Sequence, residues 1–228
     1  GTPTWLADGG HDGKGAFEFD NEYLYAGNTF PTSSSYTKTA WIRLTAYASN
    51  NIISGSDNDT GHALWTRYNG NTTVSAGHHQ DWYFVIDTQP LELNEWYFIA
   101  VTFDYDTGEM ILYRDGSEVD SDIMSETYRE VTDSTLYIGA FSGGYEMNGR
   151  IDDARVYAQV LSPEQIAAMY NGGSGNHNVI VSQETTAGDI WQCEVTPFSD
   201  SEVGATQSTD DPLTIVGGAD VYTITASA

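Results

Sequence analysis

Glu18, Asp20 and Glu22 recur at every second position of Glu18-Phe19-Asp20-Asn21-Glu22. In an extended strand alternate side chains share a face, so the three carboxylates would stand in a row. A carboxyl pair roughly 5–5.5 Å apart is what retaining glycoside hydrolysis requires, one group as acid and the other as nucleophile. Phe17 and Phe19 on the opposite side make the same stretch read as an ordinary strand with one wet face, and nothing nearby supplies a substrate cleft. The expectation is that no residue is catalytic, with Glu18 and Glu22 as the enzymatic alternative.

Other residue types suggest binding. Ser54-Gly55-Ser56-Asp57-Asn58-Asp59-Thr60-Gly61 sets Asp57 and Asp59 before a glycine, as a calcium loop does. The bidentate Glu of an EF-hand would fall at the twelfth position, and counting from Asp57 that position is Tyr68. A rim site built from several loops, or a solvated turn, remains. Trp65, His78, His79, Asp81, Trp82 and Tyr145 combine aromatic faces with polar groups near strand ends. Sugar rings stack on indoles while imidazoles and carboxylates bond hydroxyls, so these six residues form the candidate glycan site; singly, each tryptophan reads as core. His62, like the other histidines, lacks helical metal spacing and reads as a loop or surface residue.

Composition narrows the partners. Of 228 residues, 33 are acidic and 8 basic, a formal charge of −25. Phosphate neutralisation needs Lys and Arg, so nucleic acid is excluded as a partner. No run approaches the roughly 20 apolar residues of a membrane helix, and no basic amphipathic segment suggests lipid adsorption. The single cysteine, Cys193, rules out a disulfide framework or cysteine metal cluster within one chain. Two lysines, one cysteine and the sequons at Asn58 and Asn71 suit a secreted, extracellular protein.

The elements that must position these groups are strands. Fifteen Tyr, six Trp and 23 Gly describe a strand-and-turn chain. Ala16–Asp20 and Thr39–Ala46 alternate apolar and polar residues, whereas Trp96–Phe103 is apolar on both faces and reads as a central strand. Asp115-Gly116 between Met110–Tyr113 and the next run is a hairpin signal. Ser162-Pro163-Glu164-Gln165 is a capping box that opens a helix over about 163–171, stopped by Gly172-Gly173.

Phe17-Glu18-Phe19-Asp20, Asn94 to Asp104, Leu112-Tyr113-Arg114-Asp115-Gly116, Leu136-Tyr137-Ile138-Gly139 and Gly149 to Tyr157 with Leu161 to Ile166 together resemble the laminin-G-like, concanavalin A-like jelly-roll family. The resemblance spans residues 1–172. It implies an all-β, antiparallel two-sheet jelly-roll sandwich with one short helix, whose members bind glycans or proteins outside cells, often with calcium. The Glu-x-Asp-x-Glu stretch is also similar to that of jelly-roll endoglucanases. The family position of a structural Ca²⁺ falls on Asp152-Asp153, with Asp20 or the Asp8–Gly13 region as co-ligands. Strict alternation puts the two aspartates on opposite faces, and Asp152, sharing a face with Ala154 and Val156, is the favoured ligand.

Residues 176–228 resemble strands E, F and G of an incomplete immunoglobulin-like domain, with Trp191 two residues before Cys193. Three such strands leave an edge unpaired, and Val221, Tyr222 and Ile224 form a β-prone strand after Gly217-Gly218 that could complete a neighbouring molecule. The expected function is a non-enzymatic cell-surface adhesion or structural protein, its calcium-stabilised jelly roll binding a glycan or cell-surface ligand. Strand exchange through the tail would build a homo-oligomer or fibre. The alternatives are a glycan-binding module of a larger secreted enzyme, a tail that packs on its own chain, and a glycoside hydrolase.

Overall fold

The computed structural model describes residues 1–68 and 72–172, together with six short strands beyond them. The chain divides into two units, Gly1–Gly175 and Asn176–Ala228.

The first unit is a sandwich of two antiparallel sheets. Its strands are β1 (Thr4–Leu6), β2 (Ala16–Glu22), β3 (Leu24–Asn28), β4 (Tyr36–Leu44), β5 (Asn50–Ser54), β6 (His62–Tyr68), β7 (Thr72–His78), β8 (Asp81–Ile86), β9 (Trp96–Phe103), β10 (Glu109–Arg114), β11 (Ser117–Ile123), β12 (Thr135–Ile138) and β13 (Met147–Tyr157). One sheet has the order β1-β2-β13-β4-β9-β10-β11 and the other β3-β12-β5-β6-β7-β8. Phe19, Ile42, Leu44, Ile53, Leu64, Val74, Ile99, Val101 and Phe103 fill the space between them. The β10–β11 hairpin turns on Asp115 (φ 51°) and Gly116 (φ 76°), the two left-handed residues that a type I′ turn needs.

The helix α1 (Pro163–Gly172) opens as its sequence predicts: the Gln165 amide donates to Ser162 Oγ at 3.2 Å, and the Ser162 amide to Gln165 Oε1 at 2.7 Å. Leu161, Ile166, Met169 and Tyr170 pack with Phe98, Ala100, Tyr113 and Trp41 in a second apolar cluster. This explains why β9 is apolar on both faces, since Ile99, Val101 and Phe103 meet the sandwich core while Phe98 and Ala100 meet the helix.

Alternation fails in β13. Between Asp152 and Arg155 the register against β4 shifts, and Asp153 takes a left-handed conformation (φ 47°). The bulge adds one residue, so Ile151, Ala154 and Val156 all pack on the core. Asp152 therefore does not share a face with Ala154 and Val156, contrary to the period-2 expectation; it stands opposite Trp41 on the outer side.

In the second unit β14 (Val179–Ile180), β15 (Ile190–Trp191) and β16 (Glu194–Val195) pair antiparallel with β19 (Tyr222–Thr223), β18 (Leu213–Thr214) and β17 (Gln207–Ser208) respectively. Tyr222, expected to be donated to another molecule, is paired with Ile180 of its own chain. Cys193, Val221 and Ile224 lie outside the described residues, as does Asn71.

Candidate functional site

On the outer face of the six-stranded sheet a cleft of about 300 Å³ is lined by Ser49, Asn51, Asn58, Ala63, Trp65, Trp82, Tyr83, Phe141 and Tyr145. Strand geometry explains the grouping. Leu64 points into the core, so Ala63 and Trp65 point out, and the cross-strand partner of Trp65 is Asn51. The Trp65 Nε1–H donates to the Trp82 carbonyl at 2.8 Å, which ties β8 to β6 across the intervening β7. Phe141 stands edge-on to Trp82, with ring centroids 5.4 Å apart, and Tyr83 is tilted over Trp65 at 5.1 Å. Tyr145 is 70% exposed and holds a left-handed backbone (φ 53°). For an aromatic residue that conformation is strained, and the Asn51 amide and side chain hold it by donating to the Tyr145 carbonyl at 3.1 and 3.2 Å.

Two anchors beneath the cleft position its walls. Asp133 accepts from the amides of Ser56 at 2.6 Å, Asp57 at 2.9 Å and Thr135 at 2.9 Å, pinning the turn that carries Asn58. Burial alone would raise this carboxyl, but the N–H donors outweigh it and hold it below its ordinary value. Gly55 and Gly61 let the turn close, because a Cβ there would stand 2.4 Å from Asp133 Oδ2 or 2.1 Å from the Asp57 carbonyl.

The second anchor is polar and fully buried. His62 and His78 are cross-strand partners on the inner faces of β6 and β7. Lys38 Nζ donates to the Ile53 carbonyl at 3.2 Å and lies 2.7 Å from His62 Nδ1. The rings of Phe30 and Tyr36 flank the amine at 5.0 and 5.2 Å. The Tyr36 hydroxyl meets His78 Nε2 at 2.7 Å. Desolvation pushes Lys38 well below its ordinary value despite the attraction of Asp133, and it does the same to both histidines. A neutral His62 then accepts from Lys38 at Nδ1 and donates from Nε2 to the Thr135 carbonyl, 3.2 Å away.

Sequence reasoning thus placed Trp65, Trp82 and Tyr145 in one cleft and missed Asn51, Tyr83 and Phe141. His78 is a correction: its side chain is in the core and turned away from the cleft, because inward and outward positions alternate along β7. His62 is likewise a core residue. His79 sits in the β7–β8 turn, facing the Asp59 carbonyl, and Asp81 opens β8 opposite His78; neither lines the cleft.

The acidic candidates separate. Asp57 Oδ1 accepts the amides of Asp59 and Thr60 at 2.7 and 2.8 Å, and Asp59 accepts from Gln80 Nε2 at 2.6 Å. Among the described residues, the three His, Cys, Asp or Glu side chains close enough to share an ion are His11, Asp12 and Asp152. Asp8 and Asp20 are exposed and outside this group. Asp152 Oδ2 accepts the His11 amide at 3.1 Å and lies 2.7 Å from His11 Nδ1, while the Asp153 amide donates to Oδ1 at 2.8 Å. The His11 ring stacks on Trp41 at 4.1 Å, so the tie between β13 and the N-terminal segment is a hydrogen-bonded clasp. Glu18 is paired with Arg150 at 3.0 Å, and no cleft described is lined by Glu18 or Glu22.

Two further clefts, of about 330 and 360 Å³, open along the sandwich edge and are lined mainly by aliphatic and aromatic side chains of β2, β12 and β13. They lack the convergence of amides and exposed rings found beside Trp82.

Residues 17–167 match the family model of the concanavalin A-like lectin/glucanases superfamily. The chain is 30% identical over 100 residues to C-reactive protein of Sus scrofa, covering 40% of this chain and 45% of that protein. Domain 4 of an extracellular arabinanase from Geobacillus stearothermophilus, solved with arabinotriose, superimposes with a TM-score of 0.59 at 18% identity over 75% of this chain and 82% of that one. A heptameric SAP-like pentraxin from Limulus polyphemus gives 0.54 at 18% identity over 67% and 78%. Among the described residues no helix is long and apolar enough to cross a membrane.

Proposed function

Because the chain belongs to the concanavalin A-like lectin/glucanases superfamily, we propose that it is a non-catalytic glycan-binding module that works outside the cell. The observation that carries this reading is the cleft formed by Trp65, Trp82, Tyr83, Phe141 and Tyr145 with Ser49, Asn51 and Asn58. Aromatic faces pack against the C–H faces of sugar rings, and neutral amide and hydroxyl groups match their hydroxyls without a large desolvation cost. None of the lining residues bears a carboxylate, whereas hydrolysis by either stereochemical route needs two. That contrast favours binding over turnover.

The resemblance implies calcium at Asp152. As folded, the donors there do not fit it: Ca²⁺ takes six to eight oxygens, and both Asp152 oxygens already accept N–H donors, with a histidine ring as the nearest partner. Within the chain Tyr222–Thr223 pairs with Val179–Ile180, which favours a tail that packs on its own chain over strand exchange with a neighbour.

The test is a panel of immobilised neutral and acidic glycans, followed by isothermal titration of hits; arabino-oligosaccharides are a natural first probe. Trp82→Ala should weaken binding tenfold or more with an unchanged melting temperature. Failure of the wild-type chain to bind any carbohydrate at millimolar concentration, or equal binding by Trp82→Ala, would overturn the reading.

A further inference from the structure

The face that carries the cleft continues beyond it. Leu24, Leu136 and Ile138 pack on the core, so Tyr25 on β3 and Tyr137 on β12 point outward. The cross-strand partners run Tyr25 to Tyr137, Tyr137 to Ser54, and Ser54 to Ala63, which lines the cleft. Paired residues share a face. One row of side chains therefore connects the tyrosines to the cleft floor.

Between the two lies a ridge, the segment Phe141-Ser142-Gly143-Gly144-Tyr145. It is tied over β5 by the Ser142 amide donating to the Gly55 carbonyl at 3.1 Å and by the Asn51 bonds to Tyr145. Phe141 faces Trp82 on one side. On the other, a Cβ at Gly143 would stand 3.3 Å from the Tyr23 hydroxyl. The middle of the ridge is low, because Gly143 and Gly144 carry no side chain there.

Tyr25 is 57% exposed, with its ring 5.0 Å from that of Tyr137, which Tyr23 backs edge-on at 5.4 Å. The Tyr25 hydroxyl donates to Asn28 Oδ1 at 3.3 Å. An exposed aromatic pair with an amide beside it repeats the chemistry of the cleft. Trp65 lies two strand spacings across from Tyr137 and two residues further along β6, about 12 Å away, which is more than one sugar ring.

We propose that Tyr25 and Tyr137 form a second stacking subsite, and that the ligand is a linear glycan chain lying in the cleft and crossing the Gly143-Gly144 saddle onto them. This rests on the cleft being the glycan site. A protein partner fits the patch poorly, since three rings offer at most a few hundred Å² against the roughly 800 Å² per side of a stable interface. A chain held at two ends fits both its size and the neutral polar atoms along the row.

The experiment is isothermal titration of the full chain with linear arabino-, xylo- and cello-oligosaccharides from dimer to octamer, repeated with Tyr25→Ala and Trp82→Ala. Thermal melts confirm that both variants fold. Wild-type affinity should climb with chain length beyond the trimer. Tyr25→Ala should bind long chains about three- to tenfold more weakly, the worth of one stacking contact, and bind the shortest ones as wild type does. Trp82→Ala should weaken every length. Length-independent wild-type affinity, or a Tyr25→Ala chain indistinguishable from wild type, would overturn the second subsite and leave the cleft standing. Loss in Tyr25→Ala without loss in Trp82→Ala would overturn the cleft, and absence of binding across all three series would overturn both.

Discussion

Replacing Lys38 by methionine should change how stability depends on pH more clearly than it changes stability at any one pH. The amine is wholly buried, with His62, Tyr36 and the Ile53 carbonyl around it, and burial drives it well below its ordinary value, towards the neutral form. In the unfolded chain it returns to its ordinary 10.5. Below that value the unfolded state carries one more proton at this residue, so stability rises with pH towards 10.5 and is lost as pH falls. The slope for one proton is about 1.4 kcal/mol per pH unit, or roughly 3 kcal/mol between pH 7 and 9. Across that window His62 and His78, lowered by burial from 6.5 in the fold, contribute little, and equally to wild type and variant. Lys38→Met also leaves His62 Nδ1 and the Ile53 carbonyl without their donor, a cost on the order of 1–3 kcal/mol each that shifts the whole curve and leaves its slope alone. Urea unfolding at pH 7, 8 and 9, followed by tryptophan fluorescence, should give a wild-type free energy that climbs about 3 kcal/mol more than that of Lys38→Met. Parallel lines would show that Lys38 stays charged in the fold and would refute the reasoning.

Below pH 6.5 the buried histidines should add to the loss, since the unfolded chain takes up protons that burial excludes from the fold. Tyr36→Phe, which removes the hydroxyl facing His78 Nε2, should lower stability by about 1–3 kcal/mol at pH 8, as read by circular dichroism in urea. Asp133→Asn should cost about 2–3 kcal/mol at neutral pH, since a carboxylate accepting three backbone amides gives way to a group that presents a donor. The Asp133 carboxyl lies below 3.8 in the fold, so its contribution disappears as pH falls further, and the two melting curves should converge in acid; curves that stay apart would count against this. His11→Ala should destabilise by about 2 kcal/mol through loss of the Asp152 clasp, while a chelator should leave wild-type melting unchanged, both measured by calorimetry. Deleting residues 219–228 should leave the sedimentation coefficient that of a monomer, like the parent's, and a parent that assembles while the truncated chain does not would restore strand exchange.

Much of this protein is a consequence of local pattern. The capping box at Ser162, the Asp115-Gly116 turn and the two-faced Trp96–Phe103 strand are readable from residues a few positions apart, because helix caps, left-handed turns and strand alternation are short-range physics. Trp65, Trp82 and Tyr145 were legible as candidates because indole and phenol groups beside loops signal a ligand face. The rest needed distances across the sandwich. One residue of bulge in β13 reversed the face of Asp152, and no alternation count along the sequence detects an inserted residue. His78 looks like a loop ligand beside His79, yet its strand parity puts it under the sheet, where the Tyr36 hydroxyl of another strand meets its Nε2. Phe141 and Asn51 lie 90 positions apart in the chain. They meet only because β12 and the segment after it fold over β5, a pairing set by the packing of two whole sheets.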